Sequence, residues 1–192
     1  SVGQERMIVN CGSAIDSEPA WQMVQRMTAA HSTLSVEDRN SSEILSNGDI
    51  GRSARIITHN RQDTETELCF EASHDGYRPL FELEHSRKVE VLRNAESVRG
   101  TEIISAPGKF RFAVRFHLHP TVAVSLAQGG SSALLKLKKG GGWRFYASGA
   151  DMQIEDSIYL GSGKPKRTNQ IVLTGYKIDQ SMVVEWSIEP MS

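Results

Sequence analysis

The chain has 192 residues, with 22 basic and 23 acidic side chains and a formal net charge of −1, so no strong electrostatic field would draw it to nucleic acid or to a membrane surface. Aromatic residues make up only 7% of the sequence, which argues against a surface that stacks on bases. No segment approaches the roughly 20 apolar residues that a membrane-spanning helix needs.

The ends and the cysteines say little about the cellular compartment. Residues 1–6 lack the basic-then-apolar pattern of a signal peptide. Because residue 1 is not Met, a signal peptide or a further domain could precede it; the compartment would be periplasmic in the first case and otherwise cytoplasmic. Cys11 and Cys69 each lie in an apolar-alternating segment, which favours two buried thiols over a disulfide, and two cysteines alone cannot form a four-ligand metal site.

The first half of the chain predicts one short helix and a series of strands. Asp16, Ser17 and Glu18 would cap the helix and give it an acidic first turn, Pro19 suits that first turn, and residues 21–27 continue it. Strands are predicted between turn-forming residues. They span residues 7–10, 32–38, 53–60, 66–73, 81–92 and 101–105, with a hairpin tip at 93–96.

The strongest strand signal lies between Lys109 and Pro120, where apolar and polar residues alternate strictly. Pro120 ends this strand because it has no amide hydrogen to donate. One face carries Phe110, Phe112, Val114, Phe116 and Leu118, and the other carries Arg111, Ala113, Arg115, His117 and His119.

Later strands are predicted at 122–126, 135–137, 143–145, 152–154, 157–160, 170–174 and 182–188. A dozen or so short strands with a single helix predict an all-β fold, a large antiparallel two-sheet β-sandwich that forms one domain over residues 1–192. Its core should contain Phe112, Phe116, Leu118, Trp143 and Phe145.

Several local strings go further than periodicity. The first is Arg-Met-Thr-Ala-Ala-His-Ser-Thr-Leu at 26–34, and the second is Glu-Ala-Ser-His-Asp-Gly-Tyr at 71–77, followed by Glu-His-Ser-Arg at 84–87. The third begins Arg-Phe-His-Leu-His-Pro at 115–120 and continues through 141–145, 154–161 and 165–172. Together they resemble the C-terminal domain of bacterial heparinase II/III-like proteins over nearly the whole chain.

The resemblance implies a polysaccharide lyase built from two parts. An N-terminal (α/α) toroid supplies most of the catalytic groups, and the β-sandwich closes the cleft from the other side. The family reaction is β-elimination on a uronate-containing polysaccharide: a proton leaves C5, the C4–O bond breaks and an unsaturated sugar remains. The implied partners are an acidic polysaccharide, whether a glycosaminoglycan, an alginate-like chain or an envelope glycan, and the protein's own toroid domain.

The resemblance also assigns residues to this cleft. His31 would be catalytic, either neutralising the uronate carboxylate or acting as the base, and Tyr77 would be a catalytic acid or orienting group. His74, His85 and Arg87 would bind substrate. His31 and Tyr77 are therefore expected close together on one open face, with residues 75–76 forming a turn.

Structural interpretations remain open for each of these residues. His31 could instead bind the last carbonyls of the short helix, and Tyr77 could lie on a surface hairpin. His85 and Arg87 could form a solvated strand face. His117 and His119 share a face, but Arg115 beside them would repel a cation, so structural histidines are favoured there over a metal site.

One departure from the family pattern concerns metal. Relatives of the heparinase II type hold zinc with two histidines and an aspartate, whereas no His-x-His pair closely follows His31 here. No cofactor is therefore predicted. Two functions stay open: the sandwich half of a polysaccharide lyase, or a non-catalytic glycan-binding or structural module.

Overall fold

Alternation of apolar side chains produces two antiparallel sheets that pack face to face. The computed structural model describes residues 1, 3–13, 19–94, 96–139 and 141–191. The strands are β1 (Ile8–Val9), β2 (Leu34–Val36), β3 (Ile56–Asp63), β4 (Glu67–Tyr77), β5 (Leu83–Leu92), β6 (Ser97–Ser105), β7 (Phe110–Leu118), β8 (Ala123–Ala127), β9 (Ser132–Lys136), β10 (Gly142–Ser148), β11 (Asp151–Tyr159), β12 (Lys166–Lys177) and β13 (Ser181–Pro190).

The larger sheet has eight strands in the order β3-β4-β5-β6-β13-β10-β9-β8. The smaller sheet has the order β1-β7-β12-β11, and β2 also pairs with β7. Strands β1 and β2 lie along successive parts of one edge of β7, because Ile8 pairs with Leu118 and Leu34 pairs with Val114. The predicted two-sheet β-sandwich is confirmed.

Helical structure is brief. It comprises α1 (Pro19–Val24), α2 (Arg78–Phe81) and two 3-10 turns, Thr28–Ala30 and Gln128–Gly130. The predicted cap at Asp16, Ser17 and Glu18 lies outside the described residues. None of the described helices is long and apolar enough to span a bilayer.

The core lies between the sheets, where the strict alternation placed it. Phe112, Phe116, Leu118, Trp143 and Phe145 are all buried, so the predicted register of β7 is confirmed. The Phe116 ring packs edge-on against Phe145 at 4.9 Å and against Trp186 at 5.0 Å between ring centroids. The two cysteines are free thiols, with Cys11 buried and Cys69 partly buried.

Two local predictions are wrong. Residues 75–76 do not form a turn: β4 continues through them, and the pairing register with β5 shifts between His74 and Tyr77. This is a β-bulge, which a glycine permits, and a side chain at Gly76 would come within 2.7 Å of the Ser41 carbonyl oxygen. The two strands predicted at 152–154 and 157–160 are one continuous strand, β11, because each of its residues pairs with β12.

Replacing Phe116 with alanine should lower the free energy of unfolding by about 3–5 kcal/mol, because it removes the ring that joins both sheets and leaves a cavity. Chemical denaturation followed by tryptophan fluorescence measures this change. The exposed Tyr176 serves as control, and Tyr176→Ala should cost under about 0.5 kcal/mol. Equal effects of the two substitutions would contradict the packing described for Phe116.

Candidate active site

His31 lies in the loop of residues 28–33, which begins with the first 3-10 turn and leads into β2; His31 directly follows that turn. Its backbone N–H donates to the Thr28 carbonyl (3.1 Å), and its own carbonyl accepts from the Thr33 N–H (2.9 Å). The backbone polar groups of His31 are therefore bound inside the loop itself. The side chain is partly exposed, and among the described residues no hydrogen bond to its ring is found.

The loop is held in place by hydrogen bonds from the segments around it. This fixation means that the loop presents His31 from a rigid backbone. The bonds are Thr28 N–H to Asn40 Oδ1 (2.8 Å), His117 Nε2–H to Ala29 O (2.9 Å), Cys11 N–H to Ala30 O (2.9 Å), Ser32 N–H to Asn10 Oδ1 (2.9 Å), Arg87 Nη1–H to Ser32 O (2.6 Å) and Arg115 N–H to Thr33 O (3.0 Å).

A carboxylate is buried in the larger sheet behind this loop. Glu102 on β6 is 0% exposed. Its Oε1 atom accepts from Arg87 Nε (2.7 Å) and from Trp186 Nε1 (3.0 Å), and its Oε2 atom accepts from His85 Nε2 (2.7 Å). Donors from β5 and β13 thus satisfy both oxygens, as a buried charge requires.

The chain of hydrogen bonds continues to His74, and its direction is fixed by one backbone group. The Gly76 N–H donates to His74 Nδ1 (3.1 Å), so the proton of neutral His74 must lie on Nε2. That proton is donated to His85 Nδ1 (3.1 Å), which leaves the His85 proton on Nε2 facing Glu102. We call His74, His85, Glu102, Arg87 and Trp186 the Glu102 network.

Burial and neighbours set the charges of this network. Burial, and then the nearby His85 and Arg87, lower the pKa of His74 to about 4. Burial alone would raise the pKa of Glu102, but hydrogen bonding to His85, the charge of Arg87 and the Trp186 indole together lower it. At neutral pH the network therefore contains an ionised Glu102–Arg87 pair and a neutral His74.

The network corrects the expectation that His74, His85 and Arg87 form a substrate-facing surface. His85 is buried, at 2% exposure, and both ring nitrogens of His74 and of His85 are occupied. The solvated-face alternative is wrong for the same reason. Arg87 has a side chain that is 25% exposed, but its Nε and Nη1 atoms are bound to Glu102 and Ser32.

Tyr77 does not lie on an open face. Its side chain is 0% exposed, and its hydroxyl donates to the Leu34 carbonyl (2.9 Å). Burial is the main cause of its raised pKa. The bond to Leu34 places Tyr77 in the core beside the residue that follows the His31 loop. The bulge at residues 75–76 turns this side chain inward.

Arg115 is a further candidate, although from the sequence it is expected only to repel a metal ion. Its guanidinium binds the Ser35 hydroxyl, and among the described residues it forms no ion pair. The charges of Arg115 and of His31 both contribute to lowering the pKa of His117, after the larger effect of burial. Its backbone N–H also donates to the Thr33 carbonyl in the His31 loop (3.0 Å), so Arg115 is attached to this loop and, among the described residues, its charge is unneutralised. In the sequence, the only indication of Arg115 as a candidate is its position on the polar face of the alternating strand β7.

Two concave regions flank these residues. A polar groove of about 480 Å³ on the outer face of the smaller sheet is lined by Ser35, Arg115, Tyr176 and several acidic side chains, and its second arginine, Arg111, pairs with Glu37 (3.1 Å). A cavity of about 560 Å³ lies beside Arg87 and is walled mainly by apolar groups, including Trp143 and Trp186. The groove contains the exposed Tyr176 hydroxyl and several carboxylates, so it offers more hydrogen-bonding groups than the apolar cavity does.

His117 and His119 have separate structural partners. His117 is buried; its Nε2 donates to Ala29 O, and its Nδ1 accepts from the Ser157 hydroxyl (2.8 Å). His119 bonds to the Thr121 hydroxyl (2.8 Å) and packs against the Tyr159 ring. These contacts agree with the structural interpretation of both residues.

One cluster in the described part of the chain has the spacing of metal ligands. The ligand atoms of Glu67, Cys69 and Glu90 lie within 4.8 Å of one another. However, the Lys88 ammonium binds Glu90 Oε1 at 2.7 Å, so an ammonium already neutralises one of the carboxylates. The cluster does not include His31 or any residue of the Glu102 network.

Lowering the pH from 7 to about 4 should destabilise the domain through His74. Since the pKa of His74 is about 4 in the folded state against 6.5 ordinarily, the unfolded chain binds more protons in this window. The stabilisation is complete above pH 6.5 and decreases as the pH falls towards 4, by a total on the order of 3 kcal/mol. Denaturation at several pH values measures it. The pH dependence should be weaker in His74→Gln, which carries no titratable ring; an unchanged dependence would contradict this assignment.

Comparison with known proteins gives the family. The chain is 30% identical to FtsZ-localized protein C from Caulobacter vibrioides, over 88% of this chain and 32% of that protein. The fold is shared with heparan sulfate lyase HepC from Pedobacter heparinus (TM-score 0.78, 13% identity, 98% of this chain, 29% of that one) and with a heparinase III (TM-score 0.72, 12% identity, 97% and 28%).

The chain thus spans about a third of the length of these proteins. The family model for "Heparinase II/III-like, C-terminal" matches residues 1–187. This match covers nearly all of the sequence, and the two-sheet fold agrees with it: the chain belongs to the heparinase II/III-like C-terminal domain family.

Proposed function

We propose that this domain is the C-terminal β-sandwich of a polysaccharide lyase that cleaves a uronate-containing polysaccharide by β-elimination, and that it contributes His31 to the cleft. The observation that carries the proposal is the state of His31: a partly exposed ring without a partner among the described residues, on a loop whose backbone is bound on every side. Catalytic groups are commonly presented by loops on a rigid scaffold.

The chemistry assigns different tasks to His31 and Arg115. A positive charge beside the uronate carboxylate makes the C5 proton removable, and Arg115, with its unneutralised guanidinium, is suited to that task. A neutral imidazole can accept the C5 proton. The electron pair of the C5–H bond then forms the C4–C5 double bond as the C4–O bond breaks, and an acid protonates the leaving oxygen.

The acid and the remaining binding groups would come from the N-terminal helical toroid that the family resemblance implies. Tyr77 does not serve here, because its hydroxyl is buried and bound to Leu34. Support for the lyase assignment comes from family membership; the lyases of similar fold, at 12–13% identity, support the architecture alone.

A second candidate is a non-catalytic module in an FtsZ-localised protein. The observation that favours it is the 30% identity to FtsZ-localized protein C, well above the identity to the lyases. It requires no reactive histidine. Under this candidate, substitution of His31 would leave the cellular localisation of the full-length protein unchanged, and no unsaturated sugar would form.

His31→Ala, in the full-length protein that joins this chain to its toroid, should lower turnover about 10²–10⁴-fold, the usual contribution of a positioned base. Ultraviolet absorbance of the unsaturated product, with heparin, heparan sulfate, chondroitin and alginate as substrates, measures turnover. His59→Ala is the matched control, since His59 is an exposed histidine on β3, and its activity should stay within about twofold. Wild-type turnover combined with an undiminished His31→Ala variant would eliminate His31 as the base.

The 192-residue chain alone should release no unsaturated product from any of these polymers. The β-elimination needs an acid in addition to a base, and in the described residues the expected acid, Tyr77, is buried. The same absorbance assay, run with the isolated chain at high concentration, tests this. Steady product formation would refute the two-part active site.

A further inference from the structure

We propose that Arg87 is a positioning residue for His31. The inference rests on the proposed function, and it concerns how the larger sheet controls a loop that belongs to the smaller one. Arg87 Nη1 donates to the carbonyl of Ser32, the residue directly after His31, at 2.6 Å. The same guanidinium donates from Nε to Glu102 at 2.7 Å.

Arg87 differs from the other side chains that bond to the loop backbone, because it belongs to the larger sheet. His117 and Arg115 are on β7 of the smaller sheet, while Asn10 and Asn40 flank β1 and β2. Among the backbone N–H and carbonyl groups of residues 28–33 in the described chain, only the Ser32 carbonyl is bonded to a side chain of the larger sheet, that of Arg87; Tyr77 of β4 bonds instead to the Thr28 side chain and to Leu34, which follows the loop. The bond from Arg87 therefore helps to fix the backbone next to His31 relative to that sheet.

The rest of the Glu102 network makes Arg87 rigid enough for this task. His85 holds one oxygen of Glu102, and Trp186 shares the other with Arg87, so the carboxylate cannot rotate without losing a buried hydrogen bond. Gly100 on β6 lets the indole lie directly on the sheet, since a Cβ there would be 2.1 Å from the Trp186 ring. A carboxylate held in this way orients the guanidinium fork.

An arginine is required because the two acceptors, Glu102 Oε1 and Ser32 O, lie in different directions around the edge of the planar guanidinium. Lysine carries a single ammonium on a flexible chain, and it cannot match the fixed geometry of Nε and Nη1 donating to two separate partners. Arg87→Lys keeps the positive charge near Glu102 but loses the bond to Ser32. Reaction geometry is sensitive to displacements of about 1 Å, so the loss should appear in the chemical step.

The test compares Arg87→Lys with the matched substitution Arg61→Lys. Arg61 is also an arginine of the larger sheet, on β3, but its guanidinium is exposed and bonds to Asp63, not to Glu102 or the His31 loop. In the full-length protein, Arg87→Lys should lower kcat about 10–100-fold with KM changed less than about threefold, whereas Arg61→Lys should stay within about threefold in both. In the 192-residue chain, the His31 ring resonances in NMR spectra should shift or broaden in Arg87→Lys and remain unchanged in Arg61→Lys.

Equal effects of the two variants on kcat, or unchanged His31 resonances in Arg87→Lys, would overturn the inference. Should Arg87→Lys fail to fold, the double variant Arg87→Gln, Glu102→Gln removes both charges together and leaves neither buried alone; it should perturb the His31 ring in the same way. The NMR result tests the positioning of His31 by Arg87 separately from the proposed lyase function. If His31→Ala leaves turnover intact while Arg87→Lys still perturbs the His31 ring, the proposed lyase function fails and the structural link stands.

Discussion

A carboxylate in a protein interior must be surrounded by donors, and Glu102 imposes that requirement on the strands around it in the larger sheet. It draws Arg87 and His85 from β5 and Trp186 from β13, so the three neighbouring strands β5, β6 and β13 share one polar centre inside an otherwise apolar core. His74 on β4 extends the same centre by one more strand. The position of the His31 loop depends on this arrangement through Arg87.

The domain therefore depends on apolar packing and on a buried polar network, and these two differ in how well they tolerate substitution. Apolar packing around Phe116 tolerates substitutions that conserve volume. The Glu102 network does not, because each member leaves a buried partner unsatisfied when it is removed. Buried ionic groups are weak contributors to net stability, but they can specify one geometry among several. In this domain such specificity serves the placement of a loop that carries an accessible histidine.

Much of the fold could be predicted from the sequence, because strict alternation around β7 leaves only one register with Phe112 and Phe116 inside. The strings that resemble the heparinase II/III-like family point to His31, whose catalytic role stays a prediction. The network was not predictable, since Arg87 and Glu102 are 15 residues apart on strands whose pairing no local pattern specifies. Alternation put His85 and Arg87 on a common face but could not tell which face is buried. The exposure of Tyr77 was mispredicted because a bulge reads in sequence like a turn.

The connections of the His31 loop also constrain the order in which the domain can fold. Residue 32 is tied to β5 directly, and through Glu102 to β13, which ends at Pro190. Contacts of such long sequence separation form late, after the entropy of closing the intervening chain has been overcome. During synthesis the loop emerges among the first residues of the domain. The hydrogen-bond network that holds it in place forms only after β13, the last strand, has been synthesised. A chain truncated before β13 would keep the histidine and the family's local strings, and yet lack the means to hold that histidine in place.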